Sequence, residues 1–191
     1  MFYNCSSLLN ISSLKNWNVS NGKNFSYRFI NCKSLSNIKP LENWNVSSGN
    51  NFSFMLSNCK LSNIKPLENW NVSNGKNFSY MFNKCSYLSD LTPLKNWDVS
   101  NAYSFSGMFS YCCNISGIDP LQNWNVASAN DFSGMFKYNK SLLDVKPLQN
   151  WNVSKGNIFS LMLGNCYKLD PNPLEKNWKV SNQNYLKDLR I

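Results

Sequence analysis

The seven tryptophans stand at positions 17, 44, 70, 97, 124, 151 and 178, so the chain repeats every 27 residues with one interval of 26. Each Trp follows an Asn (Asn16, Asn43, Asn69, Asn96, Asn123, Asn150, Asn177) and precedes a Val by two residues. All six methionines share one column, Met1, Met55, Met81, Met108, Met135 and Met162. Cys5, Cys32, Cys59, Cys85, Cys112 and Cys166 form another, with Asn139 in the same slot once and Cys113 outside it. The short interval is a one-residue deletion between Cys59 and Leu61. The unit reads N-F-S-x-M-F-x-x-C-x-x-L-x-x-I-x-P-L-x-N-W-N-V-S-x-G-x. A segment this short cannot bury its own apolar side, but stacked on its copies it can.

Each unit divides into three parts. Phe25, Arg28, Phe29 and Cys32 lie at i, i+3, i+4 and i+7, as do Phe78, Met81, Phe82 and Cys85. That spacing predicts about two helical turns, with Asn24, Asn51, Asn77, Ser104 and Asp131 as N-caps. The next part, L-x-x-I-x-P-L, predicts a strand of three or four residues that ends at Pro40, Pro66, Pro93, Pro120 or Pro147, because proline lacks the donor a sheet interior needs. The third part, N-W-N-V-S-x-G, has turn residues around an inward Trp and Val. A buried indole removes up to about 250 Å² from water, worth roughly 4–6 kcal/mol as an upper bound, so seven in register are expected to pile into one spine and dominate the core. The Asn before each Trp is expected to form an amide ladder to neighbouring backbone.

The fold expected is thus an α/β repeat, a solenoid of about seven 26–27-residue coils with short parallel strands, short helices and turns. Residues 1–191 form a single array that starts and ends mid-repeat, with 182–191 as a candidate C-terminal cap.

Composition narrows the chemistry. With no His, the chain lacks Ser-His and Cys-His nucleophile pairs and the commonest general base. No carboxylate pair or Gly-rich phosphate loop stands out, so no catalytic, cofactor or metal residues are assigned and the chain is read as a non-enzyme. The seven cysteines fit small buried hydrophobes better than bridges or a metal ladder, since same-column Cβ vectors run parallel and no C-x₂-C pair occurs. The N-x-S triplets at Asn18, Asn45, Asn71 and Asn152 keep the repeat phase, which favours turn chemistry over glycosylation. The net charge of +9 is spread along the chain without a dense basic run, which argues against nucleic acid and leaves weak attraction to anionic polymers. No apolar run reaches the roughly 20 residues of a membrane span, and no signal peptide is visible.

The segments Met81-Phe82-Asn83-Lys84-Cys85-Ser86-Tyr87-Leu88 and Leu94-Lys95-Asn96-Trp97-Asp98-Val99-Ser100 carry a resemblance. The unit resembles the BspA-like leucine-rich-repeat proteins, in particular the 26-residue repeat of surface proteins and lipoproteins from mycoplasmas and Listeria, over essentially the whole chain. The resemblance implies that the α/β repeat is a leucine-rich-repeat-like right-handed solenoid, with surface display or secretion and with protein binding or adhesion as the function. The chain is read as cytoplasmic if it is the full product. Two alternatives stay open at this point: an intracellular scaffold or effector that binds host or self proteins, and a repeat fragment without a ligand.

The exposed side of consecutive strands would line one continuous surface. Its candidate contact residues are Ser36, Asn37 and Lys39; Ser62, Asn63 and Lys65; Ser89, Asp90 and Thr92; Gly117 and Asp119; and Asp144 and Lys146. They are small or polar, which suits a broad, shallow protein-binding face, and no aromatic anchor stands out among them. End-to-end self-association is expected from the exposed ends of such an array.

Overall fold

The computed structural model describes residues 2–169, 174–180, 182–186 and 189. The 27-residue period becomes a winding in which every coil hydrogen-bonds to the next. Phe25, Tyr27, Phe29 and Asn31 donate their backbone N–H groups to the carbonyls of Asn51, Ser53, Met55 and Ser57 at 2.8–3.0 Å. The same pattern recurs down the array, through Phe132 to Ile158, Phe136 to Met162 and Leu163 to Leu189.

The regular elements are smaller than the sequence predicts, and two of them change place. Parallel pairing is reduced to single bridges along the Asn24, Asn51, Asn77, Ser104, Asp131 and Ile158 column. The predicted L-x-x-I-x-P-L strands are instead three-residue 3-10 turns at Lys39–Leu41, Lys65–Leu67, Thr92–Leu94, Asp119–Leu121 and Lys146–Leu148, with Ser12–Leu14 in the first coil. Proline explains the change. It sits second in the turn, where its fixed φ is already suitable and its missing N–H is an orphan in any helix start. The C-terminal part adds an α-helical turn, α1, at Leu174–Asn177 and a 3-10 turn at Gln183–Leu186. Leu186 and Leu189 are buried there, whereas Lys187, Asp188, Arg190 and Ile191 of the predicted cap, like Met1 of the methionine column, lie outside the described residues.

The predicted two-turn helix at Phe25–Cys32 is a run of overlapping tight turns. In coil three, Met55 donates back to the Phe52 carbonyl at 3.2 Å, with Phe54 between them at φ 57°. In coil two, Cys32 donates back to Phe29 at 3.1 Å, with Asn31 at φ 60°. Turns of this hand need a left-handed third residue. Two columns supply it: Tyr27, Phe54, Tyr80, Gly107, Gly134 and Leu161, and Asn31, Asn58, Lys84, Tyr111, Tyr138 and Asn165. The backbone thereby gives alternate N–H groups to the next coil, which an α-helix would have kept for itself.

Three aromatic columns fill the core, two of phenylalanine and one of indoles. One runs through Phe29, Phe82, Phe109 and Phe136, with ring centroids 5.7 and 5.8 Å apart from Phe82 to Phe136, and the other phenylalanine column makes the continuous stack. Phe25, Phe52, Phe78, Phe105, Phe132 and Phe159 lie ring on ring, with centroids 5.3–6.0 Å apart. The indoles form a parallel column at 2–5 % exposure from Trp44 to Trp178, tilted against the Phe rings. They stack on each other at Trp124 and Trp151 alone among the described pairs, at 6.5 Å, so the single indole spine expected from the sequence is corrected to a Phe stack flanked by indoles. What ties the indoles across coils is a hydrogen bond. Trp44, Trp70, Trp97, Trp124, Trp151 and Trp178 each donate Nε1–H to the Leu carbonyl of the preceding coil at 2.9–3.0 Å. Trp17, in the first coil, is 44 % exposed.

The cysteine column works the same way. The Sγ atoms of Cys32, Cys59, Cys85, Cys112 and Cys166 lie 3.0–3.3 Å from carbonyl oxygens of the preceding coil and donate to them. Burial pushes the Cys85 thiol up to about 12. Cys59 and Cys112 rise for the same reason, with neighbouring thiols of the column adding to it. Protonated thiols buried in this way are packing groups and poor nucleophiles or metal ligands.

Asn139 is the exception in that column. Its Nδ2 donates to the Phe109 and Phe136 carbonyls at 2.9 and 2.8 Å, while its fully buried Oδ1 has no partner among the described residues. Rotating the amide would only aim Oδ1 at the two carbonyls. The Asn139→Cys variant keeps a donor and removes the orphan acceptor. It is expected to gain about 1–2 kcal/mol, read as a rise of roughly 2–8 °C in melting temperature.

Candidate binding surface

The candidate residues named from the sequence share one side of the array, on the 3-10 turns. Asn37, Asn63, Asp90 and Asp144 accept the backbone N–H of Lys39, Lys65, Thr92 and Lys146 at 2.8–2.9 Å. The Asx side chain thus builds the entry to each turn, so part of the predicted face is structural. Burial alone would raise the Asp144 carboxyl, but the backbone N–H and ammonium of Lys146 and the backbone N–H of Val145 together outweigh it and hold the group below the usual carboxylate range. Ion pairs run along the same side: Lys39 with Glu42, Lys65 with Glu68 at 3.4 Å and Lys146 with Asp144 at 3.4 Å.

Shallow clefts open between the turns of successive coils. One of about 300 Å³ brings Ser36, Asn37 and Lys39 together with Asn63 and Lys65. The next, about 280 Å³, joins Ser62, Asn63 and Lys65 to Asp90 and Thr92. A wider one of about 580 Å³ lies between the first and second coils, over Asn10, Ser12, Asn37 and Lys39. Ser89, Asp119 and Lys146 are exposed on the same side, and Gly117 and Asp144 are half-buried. Gly117 replaces the Asx residue of its coil and leaves that turn without the side-chain acceptor.

From Asn16 to Asn150, the Asn before Trp does not form the expected ladder among the described residues. Asn16, Asn43, Asn69, Asn96, Asn123 and Asn150 are exposed, because turning the indole inward turns its predecessor outward. The residue after each Trp has the structural task. Asn45 and Asn71 each accept both the N–H and the hydroxyl of the Ser two residues later, at 3.1 and 2.7 Å. The recurrent N-x-S triplet is therefore an Asx turn. The amide ladder lies elsewhere, where Asn31 and Asn58 donate Nδ2–H to Oδ1 of Asn4 and Asn31 at 2.7 and 2.8 Å.

Sequence reasoning missed the aromatic groups on the left-handed-turn side. Tyr27, Phe54 and Tyr80 stack outside the core at 5.0 and 4.6 Å, and Tyr111 and Tyr138 stack at 4.4 Å one lane over. Tyr27 is 45 % and Tyr111 36 % exposed. The available signal was the Asn and Gly that share these two columns, since both residue types favour positive φ.

Among the described residues, no three His, Cys, Asp or Glu side chains gather as a metal site requires, and no helix is long and apolar enough to cross a membrane.

Internalin C2 from Listeria monocytogenes is a solved structure similar to this chain. The match has 20 % identity and a TM-score of 0.37, and covers 81 % of this chain and 63 % of that protein. No curated protein matches. The family described as "Mycoplasma protein of unknown function, DUF285" matches residues 1–118 and again residues 88–189. Since those two matches together take in nearly the whole array, the chain belongs to the DUF285 family.

Proposed function

We propose that the chain is a non-enzymatic protein-binding or adhesion module, wound right-handed like a leucine-rich repeat and displayed at a cell surface as BspA-like repeat proteins are. The observation that carries this reading is the row of clefts between the 3-10 turns. Asx side chains and ion pairs hold the cleft walls in place before any partner arrives, so binding costs little further ordering. The resemblance of the repeat to surface proteins supports the location.

The test is adhesion. Beads coated with the protein are expected to adhere to host-type cells. The Ser62→Trp variant fills the cleft between coils three and four without touching the core or the Asx turn at Asn63, and is expected to reduce adhesion at least tenfold. Equal adhesion by both proteins, or by neither above uncoated beads, would sink the proposal.

A further inference from the structure

The charged groups are sorted between the sides of the array, although their overall spread along the chain hides it. The left-handed-turn side and its adjoining corner comprise residues 26–34, 53–60, 79–87, 106–114, 133–141 and 160–168. These six segments contain no Asp or Glu. They contain Lys33, Lys60, Lys84, Lys137, Lys140 and Lys168, together with Arg28. Among the described residues, every ion pair lies on the opposite, 3-10 side, so these six lysines have no carboxylate partner.

Three of the lysines are held against tyrosines instead. The ammonium of Lys60 is 5.5 Å from the Tyr87 ring centre, that of Lys84 is 5.8 Å from Tyr111, and that of Lys137 is 5.6 Å from Tyr138. A cation over an aromatic face is positioned without being neutralised. The result is a set of positioned positive charges, in three neighbouring columns, on a side stiffened by stacked rings and by coil-to-coil hydrogen bonds.

We propose that this side is a second interaction surface, and that its partner is an acidic polypeptide segment of another protein. Charge complementarity requires an anionic partner. Ring geometry selects among the anions. Tyr27, Phe54 and Tyr80 cover one another's faces, as do Tyr111 and Tyr138, and lysines lie over two of the rings. Nucleobases stack along a row of open ring faces, and within these two stacks the faces are closed against one another, which leaves the separate rings of Tyr87 and Tyr167 and the end ring Tyr27 as the exposed ones. What the rings present outward is their electropositive edges and hydroxyl donors, which with the ammonium groups suit carboxylates spaced along an extended chain.

The test uses a fluorescein-labelled oligo-glutamate peptide of about ten residues, long enough at roughly 3.3 Å per residue to lie across six coils. Fluorescence anisotropy at low salt is expected to show binding that weakens as salt rises. The Lys60→Glu/Lys84→Glu/Lys137→Glu triple variant is expected to bind at least tenfold more weakly. Lys39→Glu/Lys65→Glu/Lys146→Glu, with the same change in net charge on the 3-10 side, is expected to stay within threefold of the parent. Equal losses in the two variants would reduce the effect to net charge and overturn the proposal. So would tighter binding of labelled single-stranded DNA or of a sulfated polysaccharide than of the peptide at equal charge. Circular dichroism checks that both variants fold. Adhesion through the clefts is measured separately with Ser62→Trp, so this surface and the clefts can fail independently.

Discussion

Truncating Trp97 to alanine is expected to destabilise the protein by about 3–5 kcal/mol, the range for losing a buried large aromatic side chain. Trp97 is 4 % exposed, packs against Phe78 and Phe82 at 6.0 and 6.5 Å, and donates to the Leu67 carbonyl at 3.0 Å. Two losses are combined in that figure and a second variant separates them. Trp97→Phe keeps one apolar ring in the site and removes the donor with the rest of the indole, so the carbonyl left short of one partner accounts for about 1–3 kcal/mol of its cost and the smaller void for the remainder. Because each coil touches only its neighbours, the damage should be local before it is global. Urea unfolding measures the total. Amide hydrogen exchange should show lost protection first in the coils around Leu67 and Trp97. A change below about 1 kcal/mol for Trp97→Ala would mean that the indole column does not hold the coils together.

The sequence made the repeat and the inward columns legible and left the backbone path obscure, for a definite reason. Phe25, Phe29 and Cys32 point inward both on a helix and on a run of tight turns, because four-residue turns and 3.6-residue helical turns return a side chain to the same side at almost the same spacing. Periodicity alone cannot separate the two. The deciding information lay in the outward columns, where Asn31, Asn58, Gly107, Gly134 and Asn165 tolerate φ near 60°. That signal is diluted by Tyr27, Phe54, Tyr80 and Leu161, which hold the same conformation under compulsion from their neighbours. Proline misled in the opposite direction. It was correctly read as incompatible with a sheet interior, but the turn it starts replaces the strand outright. The polar 3-10 side was recognised as exposed because its residues vary in type between fixed apolar columns. The aromatic side was not, since a tyrosine at repeat spacing is indistinguishable from core until the backbone shows which way it points. Charge sorting was hidden for the same reason: +9 spread along a sequence becomes a one-sided field only when the winding superimposes equivalent columns.

The left-handed columns can be tested at two glycines that differ in one respect. Gly107 has φ +57° and Gly134 has φ +58°, so an added Cβ meets the same backbone penalty at each, about 1–2 kcal/mol. Their surroundings differ. A Cβ at Gly107 would stand 2.3 Å from Tyr80 Cε1, whereas at Gly134 its nearest neighbour is Lys137 Cβ at 3.8 Å. Gly134→Ala therefore reads the conformational cost alone. Gly107→Ala adds displacement of the Tyr80 ring, which is stacked on Phe54 at 4.6 Å, and is expected to cost about 1–2 kcal/mol more. In a Tyr80→Ala background that excess should vanish and Gly107→Ala should fall to the Gly134→Ala value. The coupling energy from this double-mutant cycle, measured by urea unfolding, isolates the contact between Tyr80 and the Gly107 backbone. Equal costs for the two single alanine variants would show that the ring does not lie over Gly107. A cost near zero at both would show that neither position is left-handed, and the run of turns that carries the outward tyrosines would have to be replaced by a helix.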